Sequence, residues 1–295
     1  MSNMVVNTNV LSLNAHRNLS KVGIAQTKAS SRLSSGLRVN SAADDAAGLA
    51  ISEKMRAQIR GLDMATKNTQ DGISMIQTAE GGMQEIENMA QRIRELVVQA
   101  ANDSNQSEDR AKIANEVSQL LSEIDDMAKR VEFNKKTLLD GTYTELAGGT
   151  TLGLQVGANE EQLIVFNING LDLDSLDAST AVTAAPNDYS ELANEINAAT
   201  TAMDISLLIE TAEAGIQVIT DERAKLGAIQ NRLEYTMNNL KISSENLSAS
   251  ESRIRDTDMA KEMMNLTRAN ILQQAATSML AQANQAPQSV LQLLQ

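Results

Sequence analysis

IETAEAGIQVITDERAKLGAIQNRLEYTMNNLKISSENLSASESRI, residues 209–254, places Ile209, Ala212, Ile216, Ile219, Leu226, Leu233, Met237, Leu240, Leu247 and Ile254 on alternating steps of three and four. Arg223, Gln230, Ser244 and Glu251 fill the remaining places of the same repeat. A period of 3.5 with one narrow apolar seam predicts a single long helix of coiled-coil type. At about 1.5 Å per residue that helix is roughly 69 Å long, longer than a compact domain is wide. Other helices must therefore run alongside it.

The partners lie upstream. Ile59, Leu62, Thr66, Thr69, Ile73 and Ile76 keep the three-four spacing, and Ala79, Met83, Ile86, Ala90, Ile93, Val97 and Ala100 resume it after a slip of one residue. The slip falls next to Gly81-Gly82, where glycine weakens a helix interior, so a local over-winding is expected there. After the polar turn 102–106, Ser107 with Glu108 and Asp109 is expected to cap a third helix. Its seam reads Ile113, Val117, Leu120, Ile124, Met127 and Val131.

Beyond residue 132 the period drops to two. Leu152, Leu154 and Val156 alternate with Thr151, Gly153 and Gln155; after Gly157-Ala158-Asn159, Ile164, Phe166 and Ile168 alternate again, which predicts a β-hairpin. A stretch rich in Asp, Ala, Ser and Thr follows up to Pro186 and reads as a surface excursion. Both chain ends return to helix: Ala15, Leu19, Val22, Gln26, Ala29 and Leu33 at one end; Met259, Met263 and Leu266, then Leu272, Ala275 and Met279 after a break in phase, at the other. Helix is expected to stop near Pro287. Neither end has a stripe broad enough to stand alone.

Composition agrees with helix-on-helix packing. The 295 residues include no cysteine, no tryptophan, 2 prolines, 3 tyrosines and 2 phenylalanines, so the 42% hydrophobic content is mostly aliphatic. Without cysteine there is no disulfide framework, thiolate metal site or thiol catalysis. A net charge of −13 opposes non-specific attraction to nucleic acid. The charge is unevenly spread: residues 1–43 carry Arg17, Lys21, Lys28, Arg32 and Arg38 with no acid, residues 263–295 carry only Arg268, and the acid excess lies between. No run long and apolar enough for a membrane span and no cleavable leader is visible, which taken literally describes a cytoplasmic protein.

Catalytic constellations are missing. No P-loop, GxSxG, HExxH or dinucleotide fingerprint occurs. His16, the single histidine, reads as an interface or surface residue. Asp172, Asp174 and Asp177 lack the glycine and glutamate that complete an EF-hand, and read as a solvated turn. Asp44-Asp45 reads as the acidic start of a helix rather than as a catalytic pair. The N-terminal helix could lie on a membrane surface, but its cations are scattered and it has no Trp or Phe anchor. No enzyme, cofactor or metal is expected.

Four runs go beyond periodicity: VLSLNAH at 10–16, SSRLSSGLRVNSAADDAAGLAIS at 30–52, QRIRELVVQ at 91–99 and RANILQQAATSMLAQANQ at 268–285. Together they resemble bacterial flagellin over roughly residues 1–142 and 205–295, in a short form without large outer domains. The resemblance implies a mainly α fold: an elongated antiparallel bundle of long heptad helices, a small β-hairpin region, and terminal helices forming a separate coiled-coil layer. It implies an inner terminal domain of 1–43 with 256–295, disordered in the free monomer. A central bundle of 44–142 with 190–255 and a hairpin and variable segment at 143–189 complete the division. Connecting segments fall near 34–46 and 246–258.

The implied function is a structural subunit that polymerises into the extracellular flagellar filament for motility. Its implied partners are further copies of itself, an export chaperone at the C-terminal segment, hook-junction and cap proteins, and a host Toll-like receptor. No nucleic acid or membrane insertion is implied, and export through the flagellar type III channel explains the lack of a cleaved leader. Ala15, Leu19, Val22, Ala29, Leu33, Leu272, Ala275 and Met279 form the expected terminal assembly seam. Arg92, Leu96, Gln99 and Glu116 match the positions of receptor and subunit contact; from spacing alone, Leu96 equally fits a bundle stripe wider than two positions. Val97 departs from the small residue usual there. The alternatives are a signalling coiled coil resembling a chemoreceptor cytoplasmic hairpin, and a hook–filament junction protein. An enzyme comes third.

Overall fold

A computed structural model describes residues 9–143, 151–173, 176, 189–198 and 202–293. Six α-helices carry the described chain: α1 (Val10–Ser35), α2 (Ala46–Ala100), α3 (Ser107–Arg130), α4 (Leu192–Ala198), α5 (Ala202–Arg255) and α6 (Met259–Leu293). Two small antiparallel hairpins lie between α3 and α4: β1 (Glu132–Phe133) with β2 (Lys136–Thr137), and β3 (Leu152–Gln155) with β4 (Leu163–Phe166). The chain divides into two compact units, Met1–Ile59 with Glu245–Gln295 and Arg60–Ser244.

In the Arg60–Ser244 unit, α5 buries Ile205, Ala212, Ile219, Leu226, Leu233 and Leu240, one residue every seven. Spaced polar contacts set the direction of its neighbour: Asp63 accepts from Ser244 Oγ at 3.0 Å, Arg223 pairs with Glu87, and Arg94 pairs with Glu213 at 3.8 Å. Positions climb along α2 as they fall along α5, so the two are antiparallel.

The seam of α2 differs from the expected one. It runs without a slip through Leu62, Ala65, Thr69, Gly72, Ile76, Ala79, Met83, Ile86, Ala90, Ile93, Val97 and Ala100, all buried. Thr66 and Ile73 are only half-buried, because the small Ala65 and Gly72 hold their places. The helix passes Gly81-Gly82 unbroken. Gly82 has a packing role there: a Cβ on it would stand 2.6 Å from Val131 Cγ2.

On α3, Ala114, Val117, Leu121, Ile124 and Ala128 are buried beside Ile113, a stripe wider than the expected seam. Ser107 is the first helical residue and not the cap; Gln106 occupies the cap position without a side-chain bond. The acidic first turn of Glu108 and Asp109 stands as expected.

The β3–β4 hairpin falls where the alternation puts it. Leu152, Val156, Ile164, Phe166 and Ile168 enter the same core cluster as α2, α3 and α5, and Leu163 and Val165 face outward. Its seat on α2 is cut by glycine. A Cβ at Gly72 would lie 2.3 Å from Leu154 Cδ1, and one at Gly61 would lie 2.7 Å from Ala158 Cβ. Asn68 Nδ2 donates to the Gln155 carbonyl between them at 3.2 Å. Glu222, 2% exposed, accepts from the Asn169 backbone N–H and side-chain amide, each at 3.0 Å, and so ties the strand exit to α5. The β1–β2 hairpin adds to the expected elements. Its two-residue turn puts Asn134 and Lys135 at φ 51° and 63°, the left-handed pair that a tight hairpin needs. Of the surface excursion, Asp174, Asp177 and 178–188 lie outside the described residues.

In the other unit α1 and α6 are antiparallel neighbours: Gln26 Nε2 donates to Asn270 Oδ1 at 2.8 Å, and Arg32 lies 3.8 Å from Glu262. Gly36, at φ 72°, ends α1 in the left-handed conformation and returns its N–H to the Arg32 carbonyl at 2.8 Å. The α6 helix continues past Pro287 to Leu293, beyond the expected stop.

Candidate interaction surface

The expected α1 seam is the face turned to α6: Ala15, Leu19, Val22, Gln26, Ala29 and Leu33 are partly or fully buried, and Ser12 extends the stripe by one step. The matching face of α6 is Glu262, Leu266, Ala269, Gln273, Ala276, Leu280 and Ala283. Leu272, Ala275 and Met279 are not in this pairing. They lie one step round the helix and are exposed, Leu272 by 48% and Met279 by 59%. Met259 and Met263 are exposed likewise. The side chains that meet α1 are Leu266 and Leu280 together with Ala269, Ala276, Ala283, Gln273 and Glu262, while the methionines, Ile271 and Leu272 stay outside.

Large apolar side chains stand among the polar ones on the outer surface of the pair. Val10, Leu11, Leu13 and Ile24 project from α1; Met259, Met263, Met264, Ile271, Leu272 and Met279 project from α6. Leu11, Ala15, Val22, Leu272, Ala275 and Met279 line an open groove of about 520 Å³ together with Asn14, Asn18 and Lys21. A second, of about 510 Å³, runs over Met263, Met264, Ile271 and Leu272 with Thr267 and Arg268. Exposed apolar side chains grouped in this way mark an interaction surface.

A polar joint fixes the inner ends of these helices. Backbone bonds run from Arg38 N to the Arg255 carbonyl (2.6 Å) and from Thr257 N to the Gly36 carbonyl (3.0 Å), so the two connectors pair across a single bridge. Asp44 accepts from Lys28 Nζ at 2.7 Å and from the Asn40 and Ser41 amides. The Lys28 hydrogen bond is the main reason its carboxyl is held at about 2, below the usual 3.8. Asp45 does the capping, accepting from Gly48 N at 2.9 Å at the start of α2. Of the two adjacent acids, one caps and the other clamps. Arg255–Glu53 (2.5 Å) and Arg56–Glu251 (2.9 Å) continue the joint.

On the central unit, Arg92 Nε and Nη2 both donate to Glu116 Oε1 of α3, at 3.2 and 2.9 Å, and Nη1 donates to Glu95 at 3.1 Å. These carboxylates, Glu116 first, raise the guanidinium pKa further. Arg92, Gln99 and Glu116 are exposed together. Leu96 is not: it is 2% exposed, inside the core beside Val97, so the wider stripe is the correct account of it.

Residues that could suggest chemistry stand apart from one another. His16 is exposed on α1. Among the described residues no cluster of His, Asp and Glu could hold a metal ion, and no helix is long and apolar enough to cross a membrane. Asp172 accepts the Leu176 N–H through its backbone carbonyl.

Comparison with known proteins agrees with the sequence resemblance. Residues 6–144 match the family described as the bacterial flagellin N-terminal helical region, and residues 209–294 match the bacterial flagellin C-terminal helical region. A flagellin of Bacillus subtilis (strain 168) is 52% identical over 303 aligned positions, covering 99% of this chain and 100% of the relative. A flagellin of Halalkalibacterium halodurans is 49% identical, again over 99% of this chain and 100% of the relative. Among solved structures, a putative flagellar hook-associated protein from Vibrio parahaemolyticus superposes with a TM-score of 0.59 at 12% identity. The match covers 72% of this chain and 100% of the other, a likeness of fold alone.

Proposed function

The chain belongs to the bacterial flagellin family, and we propose that the work of the filament subunit is divided between its two units, the terminal one joining neighbours and the central one giving each subunit its own stable body. The chain is a structural subunit of the flagellar filament. Identity to flagellins over 99% of its length favours this over a signalling coiled coil or a hook–filament junction protein.

The observation that carries the division is the apolar surface that the terminal pair leaves uncovered. Its two helices meet through a narrow stripe, Leu19, Val22 and Leu33 against Leu266 and Leu280 with small residues between, while Leu11, Ile24, Met263, Ile271, Leu272 and Met279 face out. A surface of this kind is stable in water only when other subunits cover it. Residues 1–43 and 256–295 then form the inner layer and order fully on polymerisation. Residues 44–142 with 190–255 are the bundle that gives the subunit its body, and 143–189 is its hairpin and variable segment. Removing about 40 residues from either end is expected to leave a soluble monomer with its central helices folded and no filaments by electron microscopy. Truncated chains that polymerise as readily as the full chain would refute the division.

Family membership supports the remaining partners. The subunit leaves the cell unfolded through the flagellar export channel. A chaperone holds its C-terminal segment until then, an occupant suited to the exposed Met and Leu side chains of α6. Hook-junction and cap proteins bound the filament it builds. The exposed Arg92–Glu116 pair with Gln99 is the surface offered to a Toll-like receptor and to adjacent subunits, and Leu96 supports it from beneath. Arg92→Glu is expected to lower receptor signalling by monomer several-fold while leaving the melting of the central unit almost unchanged. Undiminished signalling would remove this face from the contact.

A further inference from the structure

Pro287 lies inside α6, which runs from Met259 to Leu293. A proline has no N–H to give, so the carbonyl four residues earlier, that of Ala283, loses its helical donor. Ala283 is 3% exposed, which leaves little access for water in its place. The donor comes from the other end of the chain: Asn9 Nδ2 reaches the Ala283 carbonyl at 2.7 Å. The same side chain has a second task. Its Oδ1 accepts from Ser12 N at 3.0 Å, the N-cap bond of α1. Ser12 Oγ adds a further tie to Asn284 Oδ1 at 2.8 Å.

The two bonds of Asn9 use both ends of one amide. Serine or aspartate would cap α1 as well, but neither carries an amide donor for the freed carbonyl. Displacing α1 by one helical turn, about 5.4 Å, takes the donor out of reach.

We infer that Asn9 is a positioning residue for assembly: it makes the start of α1 and the continuation of α6 past Pro287 a single ordering event in a single register. The inference rests on the reading of the two ends as the assembly layer. Within it, the N-terminal segment supplies what a proline in the C-terminal helix removes, so α6 completes its hydrogen bonding at the Ala283 carbonyl only with the capped start of α1 beside it.

A double-mutant cycle on the full chain tests it. Asn9→Ser keeps the cap and removes the amide; Pro287→Ala restores a helical N–H to the Ala283 carbonyl. With Pro287 present, Asn9→Ser is expected to raise the critical concentration for seeded polymerisation roughly five- to tenfold, the scale of one unmade buried hydrogen bond. In the Pro287→Ala background it is expected to change it less than about twofold. If Asn9→Ser forms no filaments at all, rescue by Pro287→Ala supports the clasp and failure of rescue overturns it. An equal effect in both backgrounds, or none in either, also overturns it. The same cycle is read on helix content by circular dichroism. A wild-type chain that formed no filaments would defeat the assembly reading, while coupling in helix content would still decide the clasp.

Discussion

The central helices and the terminal helices are built from the same heptad grammar and fill it to different degrees. In α5 the seam side chains Ile219, Leu226 and Leu233 are fully buried, and the exposed Tyr235 and Ile242 lie off the seam. In α6 Leu266 and Leu280 join Ala269, Gln273, Ala276 and Ala283 in the intramolecular contact, while Met263, Ile271, Leu272 and Met279 are exposed. Hydrophobic burial contributes roughly 25 cal/mol per Å², so the central unit gains its stability within one chain, whereas the terminal pair leaves part of its potential gain unrealised. The difference separates a subunit's own folding from its addition to a polymer.

The sharpest way to break this contrast is a pair of reciprocal substitutions. Leu226→Ala, in the central seam, is expected to lower the stability of the free subunit by about 2–5 kcal/mol, read as a drop in the denaturant midpoint. Leu272→Glu, on the outer face of α6, is expected to leave that stability within about 0.5 kcal/mol while raising the critical concentration for polymerisation about tenfold or more, since a carboxylate must then be buried among apolar neighbours. Equal effects on both readouts from either variant would erase the distinction.

The sequence conveys the central unit better than the ends, for a reason tied to side-chain size. Reading the largest apolar residue at each step works for α5, where Leu226, Leu233 and Leu240 are both the largest and the most buried. It fails on α2, where Ala65 and Gly72 hold seam positions that the pattern assigns to Thr66 and Ile73; Gly72 is small because Leu154 of the hairpin rests on it. On α6 it finds Leu266 but misplaces Met259, Met263, Leu272, Ala275 and Met279, because much of the seam there is alanine and glutamine. Leu96 is ambiguous from spacing and is decided by its burial against the bundle. Pro287 reads as a stop because the donor that repairs it, Asn9, lies at the far end of the chain. The β1–β2 hairpin has one legible sign, Asn134 at a turn position, in strands too short to show a period.

A smaller effect sharpens the contrast through pH. The Asp44 carboxyl is held at about 2, chiefly by the Lys28 hydrogen bond, against 3.8 when unperturbed. A depressed carboxyl pKa stabilises the folded form above the unfolded value, and that contribution fades as pH falls from about 4 through 2. Filaments are therefore expected to lose stability through this window. Asp44→Asn is expected to flatten part of that dependence, read from thermal dissociation of filaments against pH, with little change in the central unit's own melting.

Hydrogen exchange measured on the same chain as monomer and as filament tests the division most directly. The expected result is that amides of α2, α3 and α5 within residues 60–244 are protected in both states. Those of α1 and α6 should exchange fast in the monomer and become protected only in the filament. Terminal helices as protected in the free monomer as the central seam would contradict it.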